Sequence, residues 1–175
     1  MMENQTIQTI VQRRSVKKYK SDPIKKEILD EIIKAGTYAA TGRNAQSPII
    51  LAITNKQVRD QLSKLNAKIL GNEEVDPFYG APVVLVVLSK KSVNTHVYDG
   101  SLVMGNLMLA ASSFGVGSCW IHRAKEEFEL PEGKKILQEL GIEEEYEGIG
   151  HCVLGYADVE PTEKPRKENW VYYID

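Results

Sequence analysis

The segment DGSLVMGNLMLAASSF, residues 99–114, is apolar on nearly every side and contains many small residues. A helix on a protein surface carries one apolar stripe, whereas a helix that is apolar all round is buried. Gly105, Ala110 and Ala111 would let another helix or a second chain approach closely, and Gly115 follows as a stop signal. The segment therefore predicts a central buried helix against which the rest of the chain packs.

A sheet covered by helices is the expected surrounding of this central helix. Residues Val83–Ser89 form a continuous apolar run, which is typical of a strand buried on both faces. Helices and strands interleave along the whole chain, which favours one α+β or α/β domain over residues 1–175. The other predicted elements are helices over 4–12, 56–70 and 126–140, the last broken near Pro131, and strands over 48–54, 118–122 and 151–156.

One further helix is predicted from its start signal. Asp22 is a suitable N-cap residue, and Pro23 fits the first helical position because its missing N–H is not needed there. An apolar stripe with helical spacing follows, and Gly36 lies near the expected end.

The composition limits the class of protein. The net charge of −2 argues against a surface for nucleic acid or acidic membranes. The opening residues lack the basic start and apolar core of a signal peptide, and the longest apolar run, Ala81–Leu88, is too short to span a bilayer. Two cysteines do not make a disulfide framework, so a cytoplasmic location is expected.

Two short basic clusters stand out in this mildly acidic chain. If the fold brings them together, they predict a phosphate-binding pocket, because Arg supplies a fork of donors, Lys a point charge and Ser a short hydroxyl. Taken singly, each cluster is also compatible with a solvated helix end or a charged tail. The clusters are Arg13, Arg14, Ser15 and Lys17 near the start, and Lys164 and Arg166 near the end.

Two other segments could meet a planar ligand. Asn44 and Gln46 carry carboxamides that donate and accept at once, which suits the edge of a heteroaromatic ring. Residues 115–123 combine glycines with Trp120 and polar ends, and backbone N–H groups there could face such a ring. A simple turn and a core strand are the alternative interpretations of these two segments.

The cysteines and histidines allow a different chemistry. Two sulfurs and two imidazoles could hold zinc, from Cys119, His122, His151 and Cys152. However, positions 119 and 122 of an extended strand point to opposite faces, and so do adjacent residues 151 and 152. We therefore expect no metal site, and expect both cysteines to be small buried apolar residues.

The order and spacing of several segments resemble the FMN-dependent nitroreductase family over nearly the whole chain. This resemblance implies a three-layer α/β/α sandwich with a central mixed, mostly antiparallel sheet and a C-terminal extension onto a partner subunit. It also implies a homodimer with FMN at the subunit interface. The segments are RRSVKKY (13–19), the Asn44–Gln46 loop, DPFYGAPVVLVVL (76–88), DGSLVMGNLMLAA (99–111), GVGSCWIHR (115–123), GHCVLGY (150–156) and KPRK (164–167).

The resemblance also assigns roles to residues. It implies that the cluster Arg13–Lys17 binds the phosphate, the ribityl chain and one edge of the flavin ring. Lys164 and Arg166 correspond to a second phosphate-binding pair near the C-terminus. Lys17 is the candidate for electrostatic stabilisation of the reduced flavin. Many relatives have an acidic residue and a glycine where this chain has His122 and Arg123. The implied cofactor-binding residues are Arg13, Arg14, Ser15, Lys17, Asn44, Gln46, Asn66, Trp120, Ile121, His122, Arg123, Lys164 and Arg166.

The activity implied by the resemblance is NAD(P)H-dependent reduction of nitroaromatics, quinones or similar acceptors. Hydride would pass through flavin N5 in a ping-pong cycle, with NADPH or NADH as the electron donor. The alternatives are another flavin reaction on the same scaffold, such as enone reduction or dehalogenation, and an FMN-binding protein without turnover.

Overall fold

The computed structural model describes residues 4–174 of the chain. Six helices, four strands and one short 3₁₀ turn (Gly42–Asn44) make up its regular structure in this range. The helices are α1 (Gln5–Gln12), α2 (Lys26–Thr37), α3 (Lys56–Leu70), α4 (His96–Ser113), α5 (Ala124–Glu129) and α6 (Pro131–Glu139). The strands are β1 (Pro48–Ile53), β2 (Val83–Lys90), β3 (Gly117–Ile121) and β4 (Tyr146–Gly155).

The four strands form one sheet in the order β1-β2-β4-β3, and each neighbouring pair is antiparallel. A parallel bridge between Ser15 and Ser118 extends the sheet beyond β3, and an antiparallel bridge joins Tyr19 to Ala157. The sheet is therefore mixed but mostly antiparallel, as the family resemblance implies.

Helices cover both faces of this sheet and make three layers. β2 is buried along nearly its whole length, so its apolar run faces helices on both sides. Leu85 and Val87 pack in a cluster with α2 and α4, whereas Val84 and Val86 pack on the opposite side with α3, α5 and α6. The alternation follows from the two-residue period of a strand.

The helix predicted to begin at Pro23 begins three residues later. Lys25 is the N-cap residue in an extended conformation, and no side chain caps the helix. Just before it, the Lys20 N–H donates to the Tyr156 carbonyl at 2.9 Å, which keeps this segment paired beside the sheet. The N-cap role expected for Asp22 is therefore wrong, because this tertiary pairing outweighs the local signal.

β4 is longer than predicted, since it begins at Tyr146 and not at His151. Its early half contains Gly148 and Gly150, which look like loop residues in the sequence. A Cβ at Gly148 would lie 2.2 Å from the Ala124 carbonyl oxygen, and one at Gly150 would lie 2.5 Å from Nε1 of Trp120. Both glycines permit close packing at the end of β3. No helix in residues 4–174 has the length and apolar character needed to cross a membrane.

Candidate active site

The first candidate site is a cleft that brings the two ends of the chain together, here called the basic pocket. One wall is the segment that follows α1, and the other is the C-terminal tail. The cleft has a volume of about 670 Å³. Its lining includes Arg13, Arg14, Ser15, Lys17, Lys18, Thr162, Lys164 and Arg166. The structure therefore places both basic clusters in one cavity, together with Lys18 and Thr162, which the sequence analysis did not single out.

Two buried side chains hold the opening segment so that its polar side chains face this cleft. Val16 and Tyr19 are buried in the core, whereas Ser15 and Lys17 are exposed. The Val16 N–H donates to the Ser118 carbonyl at 3.0 Å, and the Tyr19 hydroxyl donates to the Val16 carbonyl at 2.8 Å. Burial raises the pKa of Tyr19 well above its usual value, so the hydroxyl keeps its proton and remains a donor. These contacts fix the segment beside β3.

Arg13 carries a donor that residues 4–174 leave without a partner. Its Nη1 atom is buried, and no acceptor in that range lies within hydrogen-bond distance. The buried hydroxyl of Ser118, which is bridged to Ser15, also has no hydrogen-bond partner in that range. Buried polar groups are nearly always satisfied, so unpaired donors beside a basic cleft are typical of an anion-binding site. This observation fits a bound phosphate.

Arg14 is engaged within the chain. Its Nη2 forms an ion pair with Glu163 Oε1 at 2.7 Å, and its Nη1 donates to the backbone carbonyls of Val11 and Arg13. These contacts tie the tail to the end of α1. We therefore expect Arg14 to hold the two walls of the pocket together, while Arg13 supplies the freer donor.

A second cavity of about 290 Å³ lies at the end of β3 and is here called the strand-end pocket. The Lys17 Nζ, which reaches from the basic pocket, lies 5.9 Å from the centre of the Tyr79 ring. Because β3 also carries Ser118 beside the basic pocket, the two cavities lie along one strand. The strand-end pocket is lined by Leu70, Val75, Asp76, Pro77, Tyr79, Trp120, Ile121, His122 and Arg123.

The turn after β3 is held in a strained conformation. Arg123 has a φ of 77°, in the left-handed region that favours glycine. Its Nε donates to Asn66 Oδ1 at 2.9 Å, and Asn66 Nδ2 donates to the His122 carbonyl at 2.9 Å. These two hydrogen bonds hold the backbone of 122–123 in place and offset the strain.

Asn66 is hydrogen-bonded inside the protein, next to the strand-end pocket. Its side chain is fully buried, and both its oxygen and its nitrogen are hydrogen-bonded within the protein. It therefore supports the Arg123 turn from behind the strand-end pocket and does not line the pocket wall.

A buried acid and histidine continue this network into the core. Glu127 accepts a hydrogen bond from Asn66 and lies 3.0 Å from Nε2 of His151 through its other oxygen. Both side chains are 0% exposed, and the Phe78 ring centre lies 5.0 Å from that of His151. Glu127 is not among the predicted site residues, because one glutamate in a charged helix carries no signal of burial.

Asn44 and Gln46 lie in a loop that lines neither cavity of this chain. The loop is unusual, since Arg43, Asn44 and Gln46 all have positive φ angles, of 53°, 54° and 48°. It is anchored to the start of α4, where Asp99 accepts a hydrogen bond from the Gly42 N–H at 3.0 Å. A loop held so firmly, with exposed carboxamides, is well suited to contact something outside its own chain.

The zinc alternative receives no support from the geometry. Cys119 packs on the α3, α5 and α6 side of the sheet, whereas Cys152 packs on the α2 and α4 side. Within residues 4–174, no group of three or more His, Cys, Asp or Glu is placed to hold a metal ion. Both cysteines are free and buried, as the sequence analysis expects.

Cys152 provides a test of this burial. Burial raises the pKa of the Cys152 thiol from 9.0 to about 12. The folded state therefore holds this proton more tightly than the unfolded state, and the free energy of unfolding should fall as the pH rises above about 9. Cys152 should account for about 1 kcal/mol of the loss between pH 7 and pH 10. Urea titrations at both pH values would measure it, with Cys152→Ala as the comparison. If the free energy of unfolding has the same pH dependence in wild type and in Cys152→Ala, the thiol of Cys152 is not the cause.

Comparison of the sequence with known proteins identifies a family and similar relatives. The sequence pattern of the Nitroreductase family matches residues 10–156. An NADPH-flavin oxidoreductase from Vibrio harveyi is 27% identical over 184 aligned residues, which cover 93% of this chain and 70% of the relative.

Solved structures are similar over nearly all of the chain. A Bacteroides fragilis nitroreductase with bound FMN superposes with a TM-score of 0.91 at 26% identity, covering 99% of this chain and 100% of that one. An iodotyrosine deiodinase bound to FMN and 3-iodo-L-tyrosine shares the fold with a TM-score of 0.78 at 22% identity, covering 97% and 99% of the two chains. With the family pattern over most of its length and the fold reproduced throughout, this chain belongs to the nitroreductase family.

Proposed function

We propose that the protein is an FMN-dependent NAD(P)H oxidoreductase of nitroreductase type. The observation that carries this proposal is the basic pocket. Arg13 presents there a buried donor that has no acceptor within residues 4–174, and Lys164 and Arg166 line the same cleft. A related protein with bound FMN and a relative named as an NADPH-flavin oxidoreductase support the choice of cofactor and electron donor.

We expect the residues of the two cavities to contact different parts of FMN. Arg13, Ser15, Lys164 and Arg166 would bind the phosphate, and the backbone of residues 120–123 would line the ring. Lys17, which lies between the two cavities, is placed to stabilise negative charge on the reduced ring. Bound FMN would accept hydride from NADH or NADPH and pass electrons to a nitroaromatic, quinone or similar acceptor.

Ping-pong kinetics are expected, because the electron donor and the acceptor would use one exposed site in turn.

One alternative to the proposed function is a different flavin reaction on this scaffold, for which the fold shared with an iodotyrosine deiodinase is the relevant observation. A protein that binds FMN without turnover is the second alternative. A panel of nitroaromatic, quinone, enone and halogenated substrates, each with NADH and with NADPH, would separate them.

The visible spectrum gives the direct test of this function. The purified protein should be yellow, take up added FMN, and lose its absorbance near the flavin maximum when NADH or NADPH is added without oxygen. A protein that takes up no FMN would end the proposal. Binding without bleaching would leave only the non-turnover alternative.

The active unit is proposed to be a homodimer formed through α4. Tyr98, Leu102, Gly105 and Leu109 lie on one stripe of this helix, and Tyr98 and Leu102 are 73% and 50% exposed. A Cβ at Gly105 would meet no atom within 4 Å. Because Asp99 anchors the Asn44–Gln46 loop at the start of α4, pairing there would bring the loop to the partner's site.

The C-terminal aromatic residues are proposed to extend this interface. Trp170, Tyr172 and Tyr173 are 70%, 80% and 86% exposed within one chain. Exposed aromatic surface of this extent is typical of an interface.

The protein is proposed to act in the cytoplasm, a location that suits its two free cysteines.

Leu102→Glu should convert the dimer to a monomer, because it places a charge in an apolar contact without a partner. Sedimentation velocity would measure the change, and the variant should also lose FMN if the loop acts across the interface. Leu140→Glu is the matched control, since Leu140 is 59% exposed on a different surface. A monomeric wild type, or a variant that remains fully dimeric, would remove α4 as the interface.

A further inference from the structure

A buried acid and histidine lie behind the turn that follows β3. Glu127 and His151 are both 0% exposed, and Glu127 Oε2 lies 3.0 Å from His151 Nε2. His151 pairs with Ile121 in the sheet, and its strand β4 has a neighbouring strand on each side. The histidine is therefore held rigidly beside the last residue of β3. Such a pair is weak evidence for stability by itself, because apolar side chains of similar size are often equally stable in its place.

The chemistry of the groups around Asn66 fixes the direction of each hydrogen bond. Arg123 Nε can only donate and the His122 carbonyl can only accept, so Asn66 presents its oxygen to the first and its nitrogen to the second. Glu127 Oε1 accepts from the same Asn66 nitrogen. In the part of the chain that the structure describes, His151 Nδ1 has no partner, which places the proton of a neutral ring on Nε2, facing Glu127. The pair therefore favours the same orientation of the Asn66 amide that holds the turn.

Glu127 is tied to the turn by its backbone as well as by its side chain. Its N–H donates to the Arg123 carbonyl at 3.0 Å. The φ of 77° at Arg123 is strained for a residue other than glycine, so the turn depends on contacts that hold it. Without the support of Asn66, the turn would relax and rotate the peptide between residues 122 and 123.

That peptide carries a backbone donor suited to a ligand. A trans peptide directs its C=O and its N–H to opposite sides. Since the His122 carbonyl is bound by Asn66, the Arg123 N–H is directed away from Asn66, and both residues of the peptide line the strand-end pocket. No backbone carbonyl of residues 4–174 accepts a hydrogen bond from this N–H. The donor is therefore available to whatever occupies the pocket.

We infer that Glu127 and His151 act through Asn66 to direct the backbone N–H of this turn towards the flavin ring. They are positioning residues, since neither lines the pocket. This inference rests on the proposed function, which takes the strand-end pocket as the site of the ring. One neutral hydrogen bond to the ring corresponds to a change in flavin affinity of roughly 2- to 12-fold.

The main test replaces both members of the pair by apolar side chains of similar size, Glu127→Met with His151→Leu. This pair variant leaves no buried charge without a partner, so its urea unfolding should stay close to that of the wild type. It also removes the acceptor that orients Asn66, so the N–H of the turn should no longer be held in place. A role in stability alone predicts normal flavin binding in this variant, whereas a positioning role predicts a loss.

Fluorescence titration of the apoproteins with FMN and with riboflavin would measure the loss. Riboflavin has the same ring as FMN but lacks the phosphate. In the pair variant both affinities should fall by the same factor, roughly 2- to 12-fold. Glu129→Met is the matched control, because Glu129 is exposed on the same helix, and it should leave both affinities unchanged. Wild-type affinity for both flavins in a folded pair variant, or a loss for FMN alone, would overturn the inference.

Glu127→Gln tests the same role if the apolar pair does not fold. The new amide keeps the size of the side chain, accepts from Asn66 through its oxygen and donates to His151 Nε2, with the ring proton moved to Nδ1. Both flavin affinities should therefore stay close to those of the wild type, and ¹⁵N NMR of the imidazole should show the changed tautomer. A folded Glu127→Gln that loses as much flavin affinity as Asn66→Ala would contradict the positioning role, because the acceptor is retained.

A combination with Asn66→Ala tests the route of the effect. If the pair acts through Asn66, adding the pair variant to Asn66→Ala should weaken flavin binding no further, because groups that share one contact are not additive. Additive losses would mean that the pair acts by another route, which contradicts the inference.

The two proposals fail in different ways. A wild-type protein that binds neither FMN nor riboflavin contradicts the proposed function. A wild type that binds both flavins, with a folded pair variant that binds them equally well, contradicts only the positioning role of Glu127 and His151.

Discussion

Arg13→Ala should weaken FMN binding by about 1.5–3 kcal/mol, the cost of losing one hydrogen bond to a charged group. This corresponds to a rise in Kd of roughly 10- to 150-fold. The reason is that Arg13 Nη1 is buried and has no acceptor within residues 4–174. A hydrogen bond to phosphate would therefore form without breaking one inside the protein. Arg166→Ala should have an effect in the same range, since Arg166 reaches the pocket from the opposite wall.

Fluorescence titration of FMN into the apoprotein would measure both variants, with Lys64→Ala as the control. Lys64 is an exposed cation on α3 and lines neither candidate cavity. Wild-type affinity in both arginine variants would show that the basic pocket is not the phosphate site. A loss of FMN affinity in Arg13→Ala alone would mean that the segment after α1 binds the phosphate and the C-terminal tail does not.

Glu127→Ala should lower the free energy of unfolding by about 3–5 kcal/mol, the range for removing one partner of a buried polar pair. Glu127 and His151 are both 0% exposed, and Glu127 also accepts from Asn66. Truncation therefore leaves His151 Nε2 without its partner, removes one acceptor of Asn66 and creates a cavity. Because Asn66 supports Arg123, the variant should also loosen the turn at the strand-end pocket.

Urea unfolding would measure this loss, and Glu129→Ala is the matched control because Glu129 is exposed on the same helix. Glu127→Gln keeps the shape of the side chain and should cost less than Glu127→Ala. A change of less than about 1 kcal/mol in Glu127→Ala, the size of an ordinary mutation, would mean that the pair contributes little to stability.

Much of the secondary structure could be predicted because its causes are local. The helix predicted over 56–70 has the same bounds in the structure, where Asn55 caps it and Gly71 ends it in the left-handed region. The break at Pro131 separates α5 from α6 as expected. The start of α2 could not be predicted, because pairing of Lys20 with Tyr156 across the fold overrides the signal at Asp22.

Less of the candidate site could be predicted from the sequence. The basic residues were identified by type, but the engagement of Arg14 with Glu163 depends on how the tail folds back. The resemblance implies that Asn66 contacts the cofactor, whereas its hydrogen bonds to the His122 carbonyl and to Arg123 can be seen only in the structure. The burial of Glu127 depends on His151, which is 24 residues away in the chain.

Periodicity and composition along the chain were enough to predict most of the helices, the strand β2 with helices on both of its faces, and the residue types able to bind an anion. These properties depend on neighbours within a few positions, so they can be seen in the order of the amino acids. The tertiary structure decided which cations meet in one cleft, which are neutralised, and why arginine is tolerated at a left-handed turn. Those outcomes depend on contacts between residues far apart in the chain, such as Arg13 with the tail and Arg123 with Asn66.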